Sequence, residues 1–152
     1  MVLKDEILNG NGGKMKKKDM AEKDEETANN LFDESTKKYF EKKLPRALEL
    51  IDDAIHHDPS NNLLYCFKVS IMLEQRLELQ EKSPNNWKMS SDKILEHALE
   101  TIDDAIEIKK DYAEAWHLKG IILNERGENW LANKCFRIAN EQDLSLRKEL
   151  SE

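Results

Sequence analysis

The chain has 152 residues, 24 of them Lys or Arg and 31 Asp or Glu, for a formal net charge of −7. That balance argues against nucleic-acid binding, whose affinity comes mainly from neutralising phosphates, and two cysteines, Cys66 and Cys135, are too few for a disulfide framework. No run reaches the ~18 apolar residues of a membrane span and the N-terminus lacks the apolar core of a signal peptide, so a cytoplasmic protein is expected.

Only five glycines and three prolines occur, in a chain dominated by Leu, Glu, Lys, Ile and Ala, which favours helix throughout. Residues 1–27 read as a flexible charged tail: Asn9 to Gly13 (NGNGG), Lys14 to Lys18 (KMKKK) and Glu22 to Glu26 (EKDEE) hold few large apolar groups. Val2, Leu3, Ile7 and Leu8 are spaced as one amphipathic turn. From Ala28 the period becomes helical. Asn29 or Asn30 caps a first helix with Leu31, Phe32, Ser35, Tyr39 and Phe40. Lys42-Lys43-Leu44-Pro45 breaks it, and Pro45 suits the first turn of a second helix that ends near His57. Asp58-Pro59-Ser60-Asn61 then leads to a third, from about Leu63 to Glu81.

Residues Ser83 to Ser90 have loop chemistry, with Ser91 or Asp92 as cap of a fourth helix through Ile94, Leu95, Ala98, Leu99, Ile102, Ala105 and Ile106. A fifth runs from about Asp111 to Glu125 and stops at Gly127; the sixth spans about Asn129 to Gln142. Leu144, Leu146 and Leu150 either form a short cap over it or leave an apolar edge that can pair with a second molecule. Six helices with short connections predict an all-α fold of three antiparallel pairs.

Residues 51–55 and 102–106 both read IDDAI, 51 positions apart. Ala47/Ile51/Ala54, Ala98/Ile102/Ala105 and Ala132/Phe136/Ala139 share a four-then-three spacing, which places each triplet on one helical face. Ala105 and Ala139 lie 34 residues apart, a helix–turn–helix repeat length. The last unit adds Trp116 and Gly120 to its triplet, and this pattern resembles the tetratricopeptide repeat, with Leu123 and Leu144 departing from the aromatic and proline usual there. Phe32, Thr36, Tyr39, Ala47, Ile51, Ala54 and Pro59 match in the first unit if its turn is one residue shorter; Tyr65, Val69, Met72, Ala98, Ile102 and Ala105 match in the second. Val69 to Ala98 spans 29 residues against 12 for Gly120 to Ala132, so the middle unit carries 17 extra, which turns a 34-residue period into 51. The units fall at about 28–61, 62–112 and 113–146, with the insertion at about 76–92 and a tail or cap at 147–152.

Four histidines and two cysteines show no short metal-ligand spacing, and no phosphate loop or nucleophile elbow occurs. His56 and His57 fall at a helix end, and His97 is expected to face solvent. Asp52-Asp53 and Asp103-Asp104 diverge by about 100° on a helix, so they read as solvated surface rather than an acid/base pair. The expectation is no catalysis, no metal and no cofactor.

The resemblance implies a short right-handed superhelix whose first helices line a concave, protein-binding face. Carried over, the inward positions are Asn30, Asp33 and Lys37 in unit one, Leu63, Cys66, Phe67, Ser70 and Leu73 in unit two, and Glu114, His117, Ile121 and Asn124 in unit three. Phe67 and Leu73 are expected to pack between helices instead, the commoner fate of large apolar residues. Some family members grip chaperone C-termini with cationic residues; the corresponding Asp33, Phe67, Glu114 and Leu118 supply none. A mixed groove, apolar in the middle and acidic near both ends, suits a protein or peptide partner with an apolar stripe and basic flanks. The functional expectation is thus an adaptor, scaffold or co-chaperone-like module, with dimerisation through the end helices as the alternative. Trp87, alone among polar residues, either plugs the lengthened hairpin or projects as a binding anchor; the cost of exposing it favours the plug.

Overall fold

The computed structural model describes the backbone of residues 7–8, 14–15 and 17–151 and the side chains of 24–151. Two short strands, β1 (Ile7–Leu8) and β2 (Lys14–Met15), pair antiparallel, so Ile7 and Leu8 are not in the helical turn expected of them. Val2, Leu3, the NGNGG run and the remainder of the expected tail before Lys17 lie outside the described residues. Then come α1 (Lys17–Phe40), α2 (Leu44–His57), α3 (Asn62–Lys82), α4 (Trp87–Ile108), α5 (Ala113–Glu125) and α6 (Asn129–Ser151). The helices pair in sequence as three antiparallel hairpins stacked side by side.

Three boundaries differ from the sequence expectation. α1 starts at Lys17, so the division drawn between residues 27 and 28 falls inside it, and Ala28 is buried against its neighbours. α4 starts at Trp87 rather than after Ser91, because the Ser91 hydroxyl is buried and receives the Arg76 Nε–H at 2.7 Å instead of capping a helix. The insertion is therefore helix on both sides of a four-residue turn, Ser83–Asn86, that raises the middle hairpin above its neighbours. Finally, α6 continues to Ser151, with Leu144, Leu146 and Leu150 projecting from it exposed rather than folding back as a cap.

The ends that match expectation do so for visible reasons. Asn61 caps α3 by accepting the Leu63 N–H at 3.2 Å, and Pro45 occupies the first turn of α2, where no N–H is needed. The α1–α2 and α5–α6 turns are built alike. Lys42 (φ 62°) and Gly127 (φ 82°) take the left-handed conformation, and the Lys43 and Glu128 N–H groups donate to Lys38 O and Leu123 O at 2.9 Å.

That likeness fixes the register of the first unit. Lys42 precedes Ala47 by the same five residues that separate Gly127 from Ala132, so no turn is shortened. The small residue of α1 is Ser35, fully buried and donating to Ala47 O at 2.7 Å, twelve residues away as Gly120 is from Ala132. Phe32, Thr36 and Tyr39 thus sit one position beyond the sites assigned to them, and the α1-to-α3 offset is 34 residues.

Buried side chains form three clusters along the stack, bridged by the partly buried Leu48 and Leu99. Leu44, Ala47, Ile51 and Ala54 of α2 meet Leu64 and Ile71 of α3. Val69 and Met72 of α3, Leu95, Ala98, Ile102 and Ala105 of α4, and Ala115, Leu118 and Ile122 of α5 follow. Leu123 with Ala132 and Cys135 of α6 closes the last hairpin. Alanines dominate the second-helix positions, which lets neighbouring backbones approach.

Candidate functional site

α1, α3 and α5, the first helices of the hairpins, form one layer. Phe67 of α3 meets Phe32 and Tyr39 of α1 edge-on, with centroids 5.1 and 5.7 Å apart. Phe67 and Leu73 pack against the core, as expected. In the corrected register the row expected to face inward reads Asn29, Phe32, Thr36 and Tyr39 on α1, Leu63, Cys66, Ser70 and Leu73 on α3, and Glu114, His117, Ile121 and Asn124 on α5.

The predicted positions divide. Glu114, His117 and Asn124 are exposed, Ile121 and Ser70 half-buried, and Leu63 is exposed at the foot of α3. His117 rests on Phe136 of α6 at 5.4 Å, which fixes one edge of its ring. Ser70 donates its hydroxyl to Cys66 O at 3.2 Å. Cys66 itself is not on the surface: it is only 2% exposed, and burial, with Glu114 nearby, pushes its thiol up to about 12.

Asn30, Asp33 and Lys37 are exposed but point elsewhere. They lie about 140–200° around α1 from Ser35, on the side away from α2. Their equivalents in the other units are Leu64, Phe67 and Ile71, and Ala115, Leu118 and Ile122, the residues that pack on the preceding hairpin. α1 has no preceding hairpin, so these positions are polar.

The same logic closes the other end. Leu48 and Ile55 of α2, and Leu99 and Ile106 of α4, line the side facing the next hairpin; α6 has Asn133 and Asn140 there, both exposed. Between each pair sits the first aspartate of IDDAI. Asp52 binds Lys68 and Asp103 binds Lys119, each at 2.7 Å and each across a boundary between units. Asp53 and Asp104 are exposed, as expected; Asp52 and Asp103, each about half exposed, also pin the next helix. The equivalents at the ends carry the opposite charge, Glu34 in place of lysine on α1 and Arg137 in place of aspartate on α6. Pairs this exposed contribute roughly 0–1 kcal/mol, so they set register more than stability.

Trp87 is half-buried, with Arg76 5.5 Å from its ring centroid. Arg76, at 7% exposure, also bonds Ser91 and reaches Glu125 of α5 at 2.8 Å. One guanidinium thus joins the base of the raised hairpin to the third unit, and Trp87 packs back on it. Sequence gave no sign of Arg76, since an arginine among polar helix residues reads as surface. The raised part of α3 also carries Leu77, exposed and in step on the helix with Leu63, Ser70 and Leu73.

Among the described residues no group of three His, Cys, Asp or Glu is placed to hold a metal ion, and no helix is long and apolar enough to cross a membrane.

Three stacked helical hairpins, with alanine-rich second helices and first helices side by side, define a tetratricopeptide-like helical-repeat protein of about three units. No family model and no curated protein matches the sequence. Solved structures do match. The second tetratricopeptide domain of Spaghetti (RPAP3), bound to the HSP90 peptide SRMEEVD, gives a TM-score of 0.64 at 20% identity, over 80% of this chain and 97% of that one. The Arabidopsis OM64 domain gives 0.61 at 18%, over 83% and 98%. The N-terminal domain of stress-induced protein-1 from C. elegans gives 0.60 at 19%, over 88% and 98%. At these identities the likeness is one of fold.

Proposed function

We propose that the chain is a non-enzymatic protein-interaction module that receives a peptide or helical segment on the concave face of α1, α3 and α5, in an adaptor, scaffold or co-chaperone-like role. The observation that carries this reading is the mixed surface exposed on that row: Leu63, Glu114, His117 and Asn124 are exposed and Ile121 is half-buried among them.

The partner chemistry differs from that of the HSP90-bound neighbour. Its peptide, SRMEEVD, ends in acidic residues. Here Phe32, the residue in register in place of Asp33, joins Phe67, Glu114 and Leu118 at the expected clamp positions, and none is cationic. An apolar stripe with Lys or Arg beside it suits Ile121 and Glu114 better. The test compares affinity capture by wild type and by His117→Glu plus Ile121→Glu. Loss of the specific partner with the helical spectrum intact supports the groove; retention of every specific partner removes it.

The end-helix dimer would have to use the α6 overhang, where Leu144, Leu146 and Leu150 stay exposed, because the stacking faces at both ends are polar. Asn30, Asp33 and Lys37 at one end, and Asn133, Arg137 and Asn140 at the other, replace the apolar residues used between units. Repeat arrays need such polar outer faces at their ends to stay soluble. Light scattering that gives a dimer at all concentrations would support that dimer.

A further inference from the structure

The last residue of α6 buried in the core is Ala139, yet the helix continues twelve residues further, roughly 18 Å at helical rise. Its packing stripe, Ala132, Cys135 and Ala139, carries on in step through Gln142 and Leu146 to Leu150, and Leu146 is left 54% exposed. This overhang and the segment from Lys109 to Glu114 are the two walls of a cleft of about 670 Å³, with Tyr112, Ala113 and Leu146 as its apolar lining.

The charge around the cleft is one-sided. Asp111, Glu114, Glu141, Asp143 and Glu149 line it, against Lys109 alone. Asp143 is matched by Arg147 at 3.1 Å, and Lys109 lies over the Tyr112 ring at 5.6 Å. The other four carboxylates have no basic side chain within ion-pair reach among the described residues. Gln142, also in the lining, donates to Lys110 O at 2.9 Å, and its buried Oε1 accepts no hydrogen bond within the protein. Such a set of acceptors beside an apolar lining complements a cationic, partly apolar chain segment. A two-fold contact with a second copy would bring these carboxylates against their own counterparts, which like-charge repulsion disfavours.

We propose that this cleft binds a basic segment of a partner protein, with an apolar side chain on Leu146 and Tyr112 and Lys or Arg side chains at Asp111, Glu114, Glu141 and Glu149. The proposal rests on the interaction-module reading but places the contact at the end of unit three, meeting the concave row only through Glu114. A cation clasped there gains charge-assisted hydrogen bonds, while the apolar contact supplies the preference over general attraction to an acidic protein.

The test uses the full chain and a fluorescein-labelled decapeptide, GKRLKRLKRG, with GEDLEDLEDG as its counterpart. Binding is read by anisotropy and mapped by amide chemical shifts. The basic peptide is expected to bind and the acidic one not, with shifts gathered at 111–114 and 141–149. Glu141→Lys plus Glu149→Lys, and separately Leu146→Ser, each weaken binding about tenfold or more, whereas Glu100→Lys plus Glu107→Lys, an equal charge change on α4, has a much smaller effect. Equal weakening by the two lysine pairs means diffuse attraction and overturns the cleft. So does unchanged affinity in Leu146→Ser, or no binding by either peptide. Shifts gathered instead at Thr36, Ser70 and His117 overturn the cleft while leaving the concave-face proposal standing.

Discussion

Gly120 is where the last unit is least forgiving. A Cβ added there would lie 2.5, 2.7 and 2.9 Å from Cε1, Cδ1 and Cζ of Phe136. Ordinary carbon contacts are about 3.5–4.0 Å, so the ring must retreat by about 1 Å. Overpacking of this kind costs about 1–3 kcal/mol. Alanine is favoured over glycine inside a helix by about 1 kcal/mol, which offsets part of that. Gly120→Ala alone is therefore expected to lose roughly 1 kcal/mol, too little to identify a cause by itself. A double-mutant cycle isolates it. Units one and two hold Ser35 and Val69 at this position, and Ile51 and Ile102 where unit three has Phe136. With Phe136→Ile the added methyl has room, so Gly120→Ala becomes neutral or stabilising and the coupling reaches about 1–3 kcal/mol. Urea unfolding followed by far-ultraviolet circular dichroism on the four proteins measures it. A coupling below about 0.5 kcal/mol refutes the ring-on-glycine account. Because His117 leans on Phe136, the His117 ring signals should also move in Gly120→Ala, whereas adding Gly120→Ala to Phe136→Ile should shift them little further.

Arg76→Met should lower stability by about 1–3 kcal/mol, since Ser91 and Glu125 lose a charged donor, and Arg76→Lys should recover little because one ammonium cannot span both partners; urea midpoints decide this. Cys66 should resist alkylation in the folded protein. A thiol raised to about 12 has roughly a thousandfold less thiolate at pH 8 than an ordinary one, so mass spectrometry should find Cys66 unmodified until urea or strongly alkaline pH is applied. Giving both end faces the residues used between units (Asn30→Leu, Asp33→Phe, Glu34→Lys and Lys37→Ile on α1; Asn133→Leu, Arg137→Asp and Asn140→Ile on α6) should produce open-ended head-to-tail assemblies in sedimentation. Either set alone, lacking its complement, should not.

The repeat was legible in sequence because packing writes it plainly. Alanine must stand where two second helices meet their partners, and Ala47, Ala98 and Ala132 show it. The insertion was legible as a length but not as a shape. Ser83, Pro84, Asn85 and Asn86 are turn residues, and nothing local reveals that Trp87 onward is already helix, since the interaction settling Ser91 comes from Arg76, fifteen residues earlier. The concave row of unit one was misread by one position. Phe32 and Tyr39 have the right chemistry for the repeat's large positions, and only the hydrogen bond from Ser35 to Ala47 and the matched turns at Lys42 and Gly127 show the true phase. A one-residue shift turns a helix by about 100°, enough to exchange a groove for an end face. The ion pairs of Asp52 and Asp103 were hidden for a related reason. Their lysines lie sixteen residues on, beyond any local spacing rule, yet Lys68 and Lys119 share the 51-residue offset of the IDDAI copies.

The claim that the concave face is where this protein meets its partner is tested most directly by site-specific photo-crosslinking. A photoreactive phenylalanine analogue is placed in turn at Thr36, Ser70 and His117, and, as controls, at Glu100 on α4 and Asn133 on α6. The concave positions should yield one common adduct, identified by mass spectrometry and absent from both controls. Adducts from Glu100 or Asn133, with none from the concave row, would contradict the account.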